Sequence, residues 1–140
     1  MVNGSSALFY AHVVEDVSWR VMGTHPLAGH YSSKTLFYNS TSVRLGKIER
    51  PGGTTALVRV VGGCDEEWSA QELLGNVTMV NGMPFVNQYS WSTRWNSLGQ
   101  IVEVRAYVDS ALVARVITEN EAPTASDFGT ERTVIYDGTY

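Results

Sequence analysis

The chain has 140 residues, which reads as one domain, long enough for a real core. Apolar residues make up 44% and charged ones 17%, with four Trp and seven Tyr, which excludes a disordered chain. A net charge of -4, a pI near 5.3 and ten scattered basic residues argue against a nucleic-acid groove.

From the N-terminus, Ser5 or Ser6 can cap a short helix reaching about Asp16, with Leu8, Phe9, His12 and Val13 on one side. Val17 to Gly23 alternates as a strand does, placing Trp19 and Val21 on one face. Thr24 to Gly29 reads as a turn containing Pro26. Ser32 or Ser33 then caps a helix from Lys34 to about Leu45, whose stripe includes Leu36, Phe37, Ser40 and Val43. Pro51-Gly52-Gly53 breaks the chain. Strands are expected at about 55–62, 67–80, 83–95 and 100–108, and a last helix at about Ser110 to Asn120. Asn120 to Arg132 is polar and loop-like, and Thr133 to Tyr140 has the makings of a small added strand.

Two turns suggest a register. If Asn81-Gly82 is a two-residue type I′ turn, Glu72 lies opposite Trp91, Leu74 opposite Tyr89 and Asn76 opposite Asn87, all on one face. If Asn96 to Gly99 is a four-residue turn, Trp91 faces Val104, Tyr89 faces Ala106 and Asn87 faces Val108. Glu103, Arg105 and Tyr107 then share the other face. A three-residue turn would reverse the last strand, because side chains alternate with a period of two.

Cys64 is the single cysteine, so no disulfide framework or cysteine metal site is expected. Its acidic neighbours Asp65, Glu66 and Glu67 disfavour a reactive thiolate. No apolar run approaches the ~18 residues of a membrane span, and Met1-Val2-Asn3-Gly4 begins no signal peptide. The Asn-X-Ser/Thr triplets at Asn3, Asn39 and Asn76 then read as chance, and a cytoplasmic location is expected.

Gly23-Thr-His-Pro-Leu-Ala-Gly29-His-Tyr-Ser-Ser-Lys34, the aromatic strand Asn87-Gln-Tyr-Ser-Trp91 and Val104-Arg-Ala-Tyr-Val-Asp109 together resemble the SnoaL-like branch of the NTF2-like superfamily. The resemblance covers roughly residues 8 to 120. It implies an α+β cone, a curved antiparallel sheet wrapped around N-terminal helices and closed by a C-terminal helix. Residues 1–140 would form one such domain, with about 121–140 as an extension. Members include ketosteroid isomerases, polyketide cyclases, epoxide hydrolases, dehydratases and fungal isomerases of secondary metabolism, commonly homodimers through the sheet's outer face.

The departures narrow the chemistry. The position matching the catalytic Asp of ketosteroid isomerases is about Val21, and that matching their oxyanion Asp is near Trp91. Phe37 and Tyr38 do match aromatic positions of that group. Ala106 stands where the fold's epoxide hydrolases use an Asp, and the opening helix is short for the family.

Three groups are candidates for acid/base work. Glu72 sits in an otherwise apolar strand and, in the register above, points into the cone beside Trp91, where burial would raise its pKa. The alternatives are a Glu on the outer sheet face, or one paired with Arg94 or Arg59. His25 lies in the Gly23–Pro26 loop at the expected cone mouth and titrates near neutrality; the alternative is a loop His bonded to backbone. Asp109 matches an acid/base Asp of polyketide cyclases, yet is equally well placed as the N-cap of the last helix. Trp19, Tyr38, Tyr89 and Trp91 are the expected substrate walls, or else simply core aromatics. His30 reads as capping or solvated, and His12 as a core residue. No metal-ligand spacing or phosphate loop occurs.

These features point to a cofactor-free isomerase or cyclase acting on a polycyclic, enolisable polyketide or terpenoid, in a homodimer with Glu103, Arg105 and Tyr107 near the contact. The rival is a non-catalytic module binding a hydrophobic molecule or a protein.

Overall fold

The computed structural model describes residues 4–121; the loop expected beyond residue 121 and the strand expected over 133–140 lie outside the described residues. The architecture is α+β. Helix α1 (Gly4–His12) leads into β1 (Val13–Val21) and the short β2 (Gly29–Tyr31). Helices α2 (Lys34–Ser40) and α3 (Ser42–Gly46) precede the long antiparallel strands β3 (Thr54–Gly62), β4 (Trp68–Thr78) and β5 (Pro84–Trp95). Then β6 (Ile101–Tyr107) runs into α4 (Ser110–Asn120). The six strands form one sheet in the order β2-β1-β6-β5-β4-β3, with only the β1–β6 pair parallel.

The first helix stops at His12, four residues short of the expected Asp16. Val13 and Val14 are β-branched and join β1, where Val13 pairs with Ile101. The helix expected over Lys34 to Leu45 is cut in two at Thr41. Its hydroxyl bonds back to the Phe37 carbonyl at 2.8 Å, a local bond that competes with the helical ladder. Ser33 caps α2, accepting from Leu36 N at 3.0 Å. With only three residues, β2 is too short for periodicity to reveal.

Register is where the structure departs most from expectation. The β4–β5 loop has three residues, Val80 to Gly82, not two. Met79 N donates to Met83 O at 2.8 Å and Gly82, with φ of 91°, takes the left-handed position of that loop. Glu72 therefore pairs with Ser90, and Gln71 takes the place opposite Trp91. One extra loop residue has turned every β4 side chain to the other face.

The β5–β6 loop also has three residues, between Asn96 and Gln100, with Gly99 at φ 71°. That length alone would reverse β6. A β-bulge restores it: Trp95 pairs with Ile101 but Arg94 pairs with Glu103, leaving Val102 as the extra residue. Trp91 ends up opposite Ala106, and Trp91, Val104 and Ala106 share the inner face as expected.

Two core clusters fill the inside of the curved sheet. One is aromatic: Trp19, Tyr31 and Phe37 with Val17, Val104 and Ala106, flanked by Phe9, Tyr10 and Trp91. The other is mainly aliphatic: Leu27, Ile48, Met79 and Phe85 packed against Val113, Val116 and Ile117 of α4. These α4 residues recur at i, i+3 and i+4, one stripe of an amphipathic helix. By contrast, β3 is an edge strand exposed along its whole length.

Candidate functional site

The site is built on the inner face of β5, whose alternate residues Phe85, Asn87, Tyr89, Trp91, Thr93 and Trp95 line one wall. Trp91 packs edge-on against Trp19 at 5.5 Å between ring centroids and against Tyr89 at 6.1 Å. Trp19 is fully buried and stacks on Phe37 at 3.7 Å. On its other side lies Tyr10, which meets Tyr38 edge-on at 5.9 Å. Tyr10 and Tyr38 line a recess of about 320 Å³ with Ala7, Lys34 and Thr35. The ring contacts run unbroken from that recess to Tyr89.

Polar groups on this wall fall into two sets. Beyond Trp91, the Trp95 indole donates to Ser69 and Thr93 at 3.0 and 3.1 Å, and Gln71 donates to the same two hydroxyls at 2.7 and 3.0 Å. That end is satisfied. The indole N–H groups of Trp19 and Trp91 are buried with no hydrogen-bond partner among the described residues. Leaving a buried donor unpaired costs about 1–3 kcal/mol, so the Trp19 indole of β1 and the Trp91 indole of β5 call for an explanation. The Asn87 amide is held in place, because its Oδ1 accepts from Asp109 N at 3.1 Å.

Between Asn87 and Trp91, Tyr89 lies across Gly75, where a Cβ would come within 3.0 Å of its ring. Burial, and then the charge of Glu49, push the Tyr89 phenol up to about 12, with the Asn87 amide offsetting part of the rise. It stays protonated at any ordinary pH. Glu49, half-buried where the chain bridges to Met79, has its carboxyl pKa raised by burial. Neither Glu49 nor the Asn87 donor stood out in the sequence. Only the pairing of Asn87 with Tyr89 on an aromatic strand hinted at one of them.

The expected site residues are only partly brought together. Trp19, Tyr89 and Trp91 share the inner wall, and Tyr38 stands at the recess. Glu72 does not point inward: it lies on the outer face, 43% exposed at its side chain, in an ion pair with Arg59 at 2.7 Å. The third residue of the β4–β5 loop is what turns Glu72 outward.

His25 is buried, with both ring nitrogens bound to its own loop. Nε2 donates to Met22 O at 3.0 Å and Nδ1 accepts from Leu27 N at 3.3 Å, the pattern of a neutral ring. Burial lowers its pKa, the Met22 bond opposing this. Asp109 is exposed and caps α4, accepting from Leu112 N at 3.0 Å. His12 is exposed rather than in the core, and His30 meets Ser18 at the surface. Cys64 is exposed. Among the described residues no group of three or more His, Cys, Asp or Glu is gathered for a metal, and no helix is long and apolar enough to cross a membrane.

Glu103, Arg105 and Tyr107 lie on the outer face, where Glu103 pairs with both Arg94 at 3.2 Å and Arg105 at 2.9 Å. The Arg105 guanidinium lies 5.1 Å from the Trp68 ring.

A curved six-stranded sheet with one parallel pair and a closing helix over an aromatic interior has the form of the NTF2-like cone, and this chain has the NTF2-like fold. An NTF2-like protein of Burkholderia thailandensis superposes with a TM-score of 0.66 at 23% identity, over 79% of this chain and 83% of that one. In sequence, the chain is 35% identical over 113 residues to the dimerizing cyclase phiC of a fungal species, covering 80% of this chain and 50% of the relative. It is 36% identical over 113 residues to the dimerizing cyclase tstC of Talaromyces stipitatus, covering 80% and 49%. The chain thus spans about half the length of the curated relatives it matches. No family model matches it.

Proposed function

We propose that the chain carries a cofactor-free acid/base site of cyclase or isomerase type, acting on an apolar, enolisable polyketide or terpenoid intermediate. Its similarity to two dimerizing cyclases supports the reaction class. The observation that carries the chemistry is the placement of Glu49, a half-buried carboxyl bridged to the fully buried Met79, where burial raises its pKa. Burial moves such a group toward the pKa range useful for proton transfer at neutral pH.

In this reading Glu49 as carboxylate removes a proton from carbon next to a carbonyl, and the electron pair moves onto the oxygen. N–H donors on the β5 wall steady the enolate that results. The enolate carbon adds to a second carbonyl carbon of the substrate, whose π pair moves onto its oxygen and takes the proton from Glu49, or the enolate takes that proton back at another carbon. Tyr89 keeps its proton and serves as a donor. His25 and Asp109 act as scaffold. The rival reading, a non-catalytic binding module, draws on the outward face of Glu72 and on the lack of chemistry in Val104 and Ala106.

Solvent-deuterium uptake next to the carbonyl of 2-tetralone, a bicyclic ketone, decides between them. Glu49→Gln should slow that exchange by ~10²–10⁴ while the protein stays folded. Equal exchange in the variant would remove Glu49 as the base, and none above background in the wild type would favour the binding module.

Two copies would meet through the outer face, near Trp68, Arg105 and Tyr107, where a recess of about 380 Å³ also takes in Val61, Ala70 and Ser92. A monomer by light scattering at micromolar concentration would remove that part of the proposal.

A further inference from the structure

Between helices α1 and α2 lies the recess of about 320 Å³, walled by Ala7 and Tyr10 of α1 and by Lys34, Thr35 and Tyr38 of α2. Ala7 and Tyr10 are three apart and Lys34 and Tyr38 four apart, so each pair shares one helix face. The Tyr10 and Tyr38 rings meet edge-on at 5.9 Å and supply apolar walls, while Ala7 carries only a methyl group. A larger side chain at that position would fill the space. The volume suits a bicyclic ring or a short acyl chain, since small-molecule pockets begin at about 300 Å³.

Of the lining residues only Lys34 is charged, and its head group is held in place. Its Nζ donates to Val13 O at 2.9 Å and, more loosely, to Tyr10 O at 3.5 Å, where α1 gives way to β1. An ammonium has three N–H donors, so one remains. No carboxylate pairs with it among the described residues. Helices α1 and α2 contain no Asp or Glu, and Glu15 of β1 accepts instead from Thr35 N at 3.1 Å. The Thr35 hydroxyl bonds the same carboxylate and is the main cause of its lowered pKa, with the Lys34 charge the least. One spare donor, and no Arg in the lining, suit a carboxylate. A phosphate or sulfate would leave its other oxygens facing the rings.

We infer that the cleft between α1 and α2 is a binding site for an apolar monocarboxylate, its ring or acyl chain against Tyr10, Tyr38 and Ala7 and its carboxylate on the Lys34 ammonium. Two backbone carbonyls already order the Lys34 side chain, so binding does not have to freeze it. Tyr10 also stacks on Trp19 at 6.1 Å, so a ligand here touches the rim of the aromatic cluster without entering the packed cone. The site is separate from the acid/base group and stands whether or not Glu49 transfers a proton.

The test titrates the full chain, labelled with ¹³C at the alanine methyls, with 2-naphthoate and with its uncharged isostere 2-naphthamide, reading affinity by calorimetry. 2-Naphthoate should bind at least ~10-fold more tightly, the gain of a charge-assisted bond, and the difference should shrink as salt rises. The Ala7 methyl signal should move, and that of Ala106, buried in the aromatic core, should stay. Ala7→Leu should abolish binding of both compounds, because leucine fills the recess and still favours the helix. Lys34→Met keeps the stem and loses the charge, and should bring 2-naphthoate down to the level of 2-naphthamide. Should Lys34→Met fail to fold, the two compounds on the wild type and on Ala7→Leu decide. Equal affinity for both compounds, or undiminished 2-naphthoate binding by Lys34→Met, would overturn the carboxylate assignment. Movement of the Ala106 methyl, or full binding by Ala7→Leu, would overturn the location. No binding at millimolar 2-naphthoate would overturn the inference outright.

Discussion

The two ends of the cone are built on opposite principles. At the α4 end, Leu27, Ile48, Met79, Phe85, Val113, Val116 and Ile117 interlock, and polar groups around them bond to backbone: His25 to its loop, Asp109 to the helix it caps, and the Asn87 oxygen to Asp109 N. At the other end, large rings meet edge to face and two indole N–H groups are buried unpaired. Evolution of stability alone would not leave those donors without partners, because each costs free energy. The difference separates the part of the cone that holds the fold from the part that waits for a ligand.

The largest effect that could break this contrast is at Phe85. Phe85→Ala should cost about 3–5 kcal/mol in chemical denaturation, since it opens a cavity in an interlocked cluster. A cost below that of ordinary surface changes would mean the α4 end is not the structural one.

His25 comes next. Removing a buried ring with two backbone bonds, as in His25→Ala, should cost about 1–3 kcal/mol without touching the proton-transfer step. Its sign with pH is also defined. The folded pKa is lowered, so below the unfolded value of about 6.5 the unfolded chain binds the extra proton, and stability falls as the pH drops. The wild type should therefore lose stability on acidification more steeply than His25→Ala between pH 7 and the lowered folded value. Parallel curves would show that His25 is not the buried neutral group described.

Asp109 gives a smaller effect. Asp109→Ala should cost about 0.5–2 kcal/mol through loss of the cap, and Asp109→Asn almost nothing. If Asp109→Asn melts normally but loses turnover, the residue is more than a cap.

The smallest effect is expected at Glu72. It pairs with Arg59 in water on the outer face, so Glu72→Gln should leave both turnover and melting unchanged. A large loss of turnover would place a functional surface outside the cone and dissolve the contrast between its ends.

Much of this was legible in the residues. The strands from Thr54 onward and the helix Ser110–Asn120 follow from alternation, turn residues and an Asp-Ser cap, all local signals. So does the aromatic wall, because Tyr89 and Trp91 are two apart on one strand. The first helix was overdrawn because Val13 and Val14 fit either a helical stripe or a strand, and the partner strand β6 decides it. The break at Thr41 lay hidden within a continuous apolar period.

Alternation along β4 determines by itself that Glu72 and Leu74 share a face, but it says nothing about which face that is. That depended on whether the Asn81-Gly82 loop holds two residues or three, and on the bulge at Val102 that cancels the same change in the next hairpin. Both are settled by pairing between strands, where a shift of one residue reverses every side chain. The same holds for the site. Glu49 lies in a connecting segment and its charge bears on Tyr89 forty residues later only through the folded sheet, and the Asn87 oxygen finds Asp109 N only once β5 meets the start of α4. Composition and period are properties of a segment, whereas burial and pairing of a polar atom belong to everything folded around it.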